Sequence, residues 1–328
     1  MNAPATVSLL VFHQGALGDL VCLFPLIAAL RRRFRPLELI AQGALARLAL
    51  SEGLADKAHA VESGWTVGLF SGNPGERLQG WVSGFARLLA FSASEALLAP
   101  LRRLSRGRLV AVPPRPPAGA AVHVTDHARR RLIEAGLLEE DEPPAFRLRT
   151  VPDRLRPRVW IHPGAGSPRK RWPLERFLAV ADRLRDRGKD PVFLAGPAEE
   201  DLVAPIRAAG HAVEQPGDLP ALSSLLRRGA AYLGCDSGPS HLAAWCGIPS
   251  AVLFGPSDPV RWAPRGGPVR LLLPPLSCRP CFETARANCG APECLLAVTP
   301  EEALEAVDGL LASSAGQGET GGGGAHEG

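Results

Sequence analysis

The chain is poor in tyrosine, methionine and lysine, with one, one and three respectively, the three lysines standing against 34 arginines. A single tyrosine and the lack of any aromatic-rich basic motif argue against nucleic acid as a partner. No apolar run reaches the roughly 18 residues that a membrane span needs, and the first residues lack a charged segment followed by a cleavable apolar one, so a cytoplasmic protein is expected. Seven cysteines, an odd number, leave no complete disulfide framework and fit a reducing compartment. The early glycine loop, Gly15-Ala16-Leu17-Gly18, lacks the third glycine of a dinucleotide fingerprint, and no acidic partner is evident on a second strand. A Rossmann oxidoreductase is thereby excluded.

What is present suggests two domains. The 328 residues carry a net charge of +4, enough chain for two cores of about 150 residues each. Positive residues clump at Arg31-Arg32-Arg33-Arg35, Arg102-Arg103-Arg106-Arg108 and Arg129-Arg130-Arg131. Such clumps are solvated helix faces or, more sharply, a surface for an acidic acceptor or an anionic membrane.

Val7 to Phe12 is apolar except at Ser8, the mark of a buried parallel strand, and Leu20 to Arg33 carries helical spacing with Pro25 opening or kinking the helix. Asp19 lies between them at a strand-to-helix turn, where an aspartate serves as a helix cap or as a functional carboxylate. Strands are expected at 37–41, 58–62 and 109–112, and helices at 44–50, 77–91 and 94–104. Thr125-Asp126 is expected to cap a helix that Gly136 ends. Linker composition at 139–144 and 151–157 places a boundary between domains 1–150 and 151–312.

In the second half, strand and helix alternate four times from Val159 to Cys246 before a strand at 250–254, the rhythm of a doubly wound sheet. Its first strand opens into His162-Pro163-Gly164-Ala165-Gly166-Ser167-Pro168-Arg169-Lys170-Arg171-Trp172-Pro173. Small residues admit a ligand to the backbone, Ser167 offers a hydroxyl, and Lys170 with its arginine neighbours offers charge to a diphosphate. Asp236-Ser237-Gly238-Pro239 sits where a strand meets a helix, so free N–H groups and the helix dipole favour an anion there, and His241 lies one turn on. Each residue also has a plain structural reading: Asp236 and Ser237 as caps, Lys170 as a solvated loop charge, Glu199 as complement to a helix dipole.

These motifs resemble those of glycosyltransferase family 9, the lipopolysaccharide heptosyltransferases. Carrying the resemblance are Gly15-Ala16-Leu17-Gly18-Asp19 followed by Pro25, Lys170-Arg171-Trp172-Pro173, Gly196-Pro197-Ala198-Glu199, and Asp236-Ser237-Gly238 through His241-Leu242-Ala243 to Phe254-Gly255-Pro256-Ser257-Asp258-Pro259. The resemblance implies a GT-B fold, two Rossmann-like α/β domains facing across a cleft, the first binding acceptor and the second nucleotide-sugar. It further implies inverting transfer of heptose from ADP-heptose to an anionic lipopolysaccharide inner-core acceptor, without a metal cofactor and in peripheral contact with the inner membrane. A different nucleotide sugar or acceptor, or a nucleotide-sugar-binding protein without turnover, are the alternatives. By the same resemblance Asp19 is the catalytic base, while Ser167, Lys170, Glu199, Asp236, Ser237, Gly238 and His241 bind the donor. His13-Gln14 depart from the family pattern, where a basic residue often stands.

Cys278, Cys281, Cys289 and Cys294 have the spacing of a structural zinc site. Thr299 and Glu302 form a capping box around Pro300, starting a helix expected to end near Ala312. A Gly-rich, disordered tail is expected over 313–328.

Overall fold

The computed structural model of the chain describes residues 7–64, 66–69, 74–105, 108–141, 157–274, 280–282 and 293–316. Two compact units emerge, Met1–Ala145 with Asp218–Pro220, and Phe146–Gly217 with Ala221–Gly328. Most of the expected boundary, 151–156, lies outside the described residues.

The first unit is built on five parallel strands, β1 (Leu9–His13), β2 (Leu37–Ala41), β3 (Lys57–Ala60), β4 (Arg87–Phe91) and β5 (Leu109–Val112), in the order β3-β2-β1-β4-β5. Every residue of β1 is buried, as the apolar run Leu9 to Phe12 requires of a strand covered on both faces. β4 corrects the sequence reading, which runs one helix over 77–91. The helix stops at Ser83 with Gly84 as its C-cap, and the chain re-enters the sheet beside β1, with Leu10 opposite Leu88 and Phe12 opposite Ala90. A strand buried on both faces shows no alternation, so its apolar run reads equally well as helix.

The helix Leu17–Arg33 passes through Pro25 without a break. Pro25 has no N–H to give the preceding turn, and burial of almost every side chain from Leu20 to Leu30 offsets that lost bond. The cap of the helix Val124–Glu134 is also corrected: His123 serves, its Nδ1 accepting the Thr125 N–H at 3.1 Å. Thr125 instead donates its hydroxyl to the Cys22 carbonyl at 2.8 Å. Much of the clumped arginine charge is met locally, by Asp56 for Arg31, Glu139 for Arg33, Glu95 for Arg102 and Glu134 for Arg131.

The second unit has six parallel strands, β6 (Arg158–His162), β7 (Asp190–Leu194), β8 (Ala212–Glu214), β9 (Ala231–Cys235), β10 (Ser250–Leu253) and β11 (Val269–Leu272). Their order is β11-β10-β9-β6-β7-β8. The chain therefore winds outward from β6 in one direction and, from β9, in the other. The carboxyl ends of β6 and β9 flank the point where the direction reverses, which is where open α/β sheets take ligands. Trp172 and Phe177 meet edge to face at 4.9 Å in the core, and the Trp172 indole donates to the Val298 carbonyl at 3.2 Å.

The final helix, Pro300–Gly316, carries the expected capping box: Thr299 N–H donates to Glu302 Oε2 at 2.7 Å and Glu302 N–H to Thr299 Oγ1 at 3.2 Å. It continues four residues past Ala312, into the stretch read as tail, and 317–328 lie outside the described residues. No described helix is long and apolar enough to cross a membrane.

Candidate functional site

Three donor-loop residues named from sequence come together at the β6/β9 switch point. Asp236 follows β9 directly and is buried, with Oδ2 2.7 Å from Lys170 Nζ and Oδ1 3.8 Å from His241 Nε2. Burial alone would raise the carboxyl pKa, but the adjacent His241 ring and the charge of Lys170 outweigh it and hold Asp236 at about 2. Asp236 is therefore ionised. Lys170 ends a short 3-10 turn, Pro168–Lys170, with its N–H bonded to the Ser167 carbonyl at 2.9 Å. Its ammonium, read from sequence as available to a diphosphate, already has a carboxylate partner.

Ser237 is the N-cap of the helix Gly238–Trp245, but its side chain makes no cap hydrogen bond. It lies instead 3.4 Å from Ser240 Oγ, which bonds the Cys235 carbonyl at 2.5 Å and sits 3.1 Å from the Tyr232 hydroxyl. The chain's one tyrosine thus anchors this turn from the core. A Cβ at position 234 would fall 2.5 Å from that hydroxyl, so Gly234 leaves the room it occupies.

Glu199 stands beyond β7, buried, its Oε2 accepting the Gly196 N–H at 3.1 Å and lying 3.6 Å from His162 Nε2. Burial would raise its pKa, yet His162 and the Gly196 N–H bring it below the ordinary glutamate value. A Cβ at Gly164 would lie 2.0 Å from Glu199 Oε1, so the bare backbone after β6 is what admits this carboxylate. His162 Nδ1 is buried with no partner among the described residues.

Asp19 belongs to the first unit and is not an N-cap. The helix starts at Leu17 with Ala16 as cap, and Asp19, third in the helix, reaches back so that Oδ2 accepts the Ala16 N–H at 2.9 Å. Across Gly15 from it stands His13, the last residue of β1. A Cβ on Gly15 would lie 3.0 Å from both Asp19 Oδ2 and His13 Cε1. Burial drives the His13 pKa down to about 4, against the opposing pull of Asp19, so the ring is neutral near pH 7. Its Nδ1 has no partner among the described residues.

After β10, Asp258 caps the short helix Pro259–Trp262 by accepting the Val260 N–H at 2.9 Å, while the buried Ser257 hydroxyl is unpartnered among the described residues. Of the four cysteines expected to bind zinc, Cys281 and Cys294 are buried, and Cys278 and Cys289 lie outside the described residues.

His162, Tyr232, Ser257 and His13 were not among the site residues picked from sequence. His162 and His13 share one legible signal, a histidine ending the first apolar strand of each unit. Tyr232 had none, because it acts from inside a strand through a contact eight residues away.

Residues 133–290, just under half of the chain, match the family model described as glycosyltransferase family 9 (heptosyltransferase). Over 117 residues the chain is 32% identical to lipopolysaccharide heptosyltransferase 3 of Escherichia coli, covering 32% of this chain and 33% of that protein. The match thus spans about a third of the length of this curated relative. Two solved structures are similar over nearly the whole chain. The glycosyl transferase family 9 protein from Veillonella parvula DSM 2008 gives a TM-score of 0.76 at 18% identity, covering 95% of this chain and 100% of that one. The E. coli ADP-heptose lps heptosyltransferase II gives 0.73 at 19%, covering 94% and 100%. At such identities the likeness is of fold, the paired parallel-sheet α/β domains of the GT-B class. The donor motifs fall inside the matched segment, so over residues 133–290 the chain is similar to glycosyltransferase family 9.

Proposed function

We propose that the protein moves heptose from ADP-heptose to a hydroxyl of an anionic lipopolysaccharide inner-core acceptor, inverting the anomeric carbon and using no catalytic metal. The observation that carries this reading is the buried, ionised Asp236 holding Lys170 and His241 at the switch point of a doubly wound sheet, inside the segment matched by the family model. The names of the relatives supply the sugar, the nucleotide and the acceptor class.

In the proposed step the acceptor oxygen attacks the anomeric carbon as the bond to the diphosphate oxygen breaks. The electron pair leaves on ADP, and the acceptor proton passes to Asp19. Asp19 keeps one carboxylate oxygen on the Ala16 N–H, which fixes the group without consuming its basic capacity. Lys170, the Ser167 hydroxyl and the N-terminal turn of the helix Gly238–Trp245 meet the growing negative charge of the leaving group. Glu199, an acceptor of hydrogen bonds, takes the nucleoside hydroxyls. Exposed arginines such as Arg32, Arg103 and Arg130 face the anionic acceptor and bring the protein into peripheral contact with the inner face of the inner membrane.

A thermal-shift panel of ADP-, UDP- and GDP-sugars tests the donor, followed by a transfer assay with a heptose-free inner-core acceptor. Stabilisation by ADP and ADP-heptose above the others, with transfer, is expected. Equal stabilisation by UDP-sugars, or binding with no transfer to any inner-core acceptor, overturns the assignment.

A further inference from the structure

The pairing of Lys170 with Asp236 raises a question of charge, since a lysine and an ionised aspartate at 2.7 Å together contribute no net charge. A diphosphate arriving at this loop needs a further cation nearby. Two arginines flank Lys170. Arg171 is turned toward backbone, its Nε to the Ala165 carbonyl and its Nη2 to the Ala198 carbonyl, both at 3.4 Å.

Arg169 is held differently. Its guanidinium carbon stacks 4.7 Å from the centre of the Phe282 ring, and Nη2 lies 3.6 Å from Cys281 Sγ. Among the described residues it pairs with no carboxylate, so its positive charge is not cancelled. Phe282 is itself fixed from the far side of the site, its N–H donating to the Pro256 carbonyl at 3.0 Å. Three separate stretches therefore meet at one point: the loop after β6, the loop after β10 and the Pro280–Phe282 segment. Phe282 remains 38% exposed although it is large and apolar, and Lys170 Nζ lies 5.7 Å from the same ring. An exposed phenylalanine placed against two adjacent cations, rather than in the core, presents those cations.

We propose that Arg169 is a second donor-binding cation, oriented toward the diphosphate by the face of Phe282. This rests on the nucleotide-diphosphate reading above and adds to it the residue that supplies the net charge. Phe282 is a positioning residue. The N–H donors of Arg169 not turned to Cys281 are left for phosphate oxygens, and a planar fork suits two of those oxygens at once.

The test is calorimetric titration with ADP of the full chain and four variants: Arg169→Gln, Phe282→Leu, Phe282→Tyr and the double Arg169→Gln/Phe282→Leu, with Lys170→Ala as a control. Arg169→Gln is expected to weaken ADP binding about tenfold or more and to reduce its salt dependence. Phe282→Leu is expected to weaken it by a few fold and Phe282→Tyr to restore it, because a tyrosine ring offers the same face. The double variant should bind no more weakly than Arg169→Gln alone, since Phe282 acts only through Arg169. Wild-type affinity in Arg169→Gln, or simply additive losses in the double variant, overturns the proposal. If Lys170→Ala weakens binding while Arg169→Gln does not, this inference alone fails. If the unaltered protein does not bind ADP, the underlying reading fails and this one with it.

Discussion

The two units repeat one plan. In each, a buried first strand ends in histidine, a glycine-bearing loop follows, and the strand order reverses beside it. The loops nevertheless carry opposite chemistry. After β1 there are a carboxylate tied to a backbone N–H and a neutral buried histidine. After β6 and β9 a lysine and a histidine are gathered about one buried aspartate, with an arginine on either side of that lysine in the chain. A shared fold fixes where a ligand is met, and the side chains at that edge decide what is met. The first loop suits taking a proton and the second suits holding an anion.

The sharpest way to break this contrast is Asp19→Asn. An amide oxygen still accepts the Ala16 N–H, so the melting temperature should stay near native while sugar transfer falls about a hundredfold or more and ADP affinity is unchanged. Asp19→Ala also removes the bond to the Ala16 N–H and should cost about 1 kcal/mol in a denaturation experiment. Normal turnover in Asp19→Asn would leave the first loop with a structural task alone.

Lys170→Ala should move both stability and binding. It strands the buried Asp236 carboxylate, and with the lysine side chain 24% exposed the loss should be on the order of 1–3 kcal/mol. ADP affinity should fall roughly tenfold to a hundredfold. Adding Asp236→Asn to Lys170→Ala should recover stability but not affinity, as unfolding and calorimetry on the same samples would show. Recovery of both would mean that the lysine serves only its partner.

Acid should separate the units. The His13 pKa is lowered from 6.5 to about 4, so the unfolded chain binds the extra proton first. Its contribution, complete above pH 6.5, is lost as pH falls toward 4, on the order of 3 kcal/mol. His127 in the first unit and His211 in the second, both lowered chiefly by burial, act in the same direction, so two of these three histidines weigh on the first unit. Asp236, lowered from 3.8 to about 2, contributes fully above pH 4 and loses that contribution, on the order of 2 kcal/mol, between there and pH 2. His13→Gln should flatten the first part of a stability–pH curve and Asp236→Asn the second. Hydrogen exchange resolved by unit would show whether the first loosens at the higher pH. The smallest effect expected is at Thr299, where Ala should cost about 1 kcal/mol by opening the capping box, with transfer unchanged.

Much of this was legible from local pattern. The apolar run of β1, the capping box at Thr299 and the positions of Lys170, Glu199 and Asp236 beside strand ends all depend on residues a few positions apart, and so they survive in one dimension. β4 did not, because its apolar run fits a strand or a buried helix equally well until β1 is placed beside it. Nor did the caps, since Ala16 and His123 are poor guesses by residue type and serve because Asp19 and the His123 ring happen to reach the right N–H.

The sequence by itself determined that there are two α/β units and which loops carry charge. Tertiary structure decided what that charge is free to do. Asp236 and Lys170 are 66 residues apart, Arg169 and Cys281 112, and a pairing across such distances is set by which strand ends the sheet brings together. Packing then fixed the protonation states, Lys170 and His241 holding Asp236 ionised against burial and burial holding His13 neutral, because desolvation and the nearest opposite charge depend on the packed surroundings rather than on residue type.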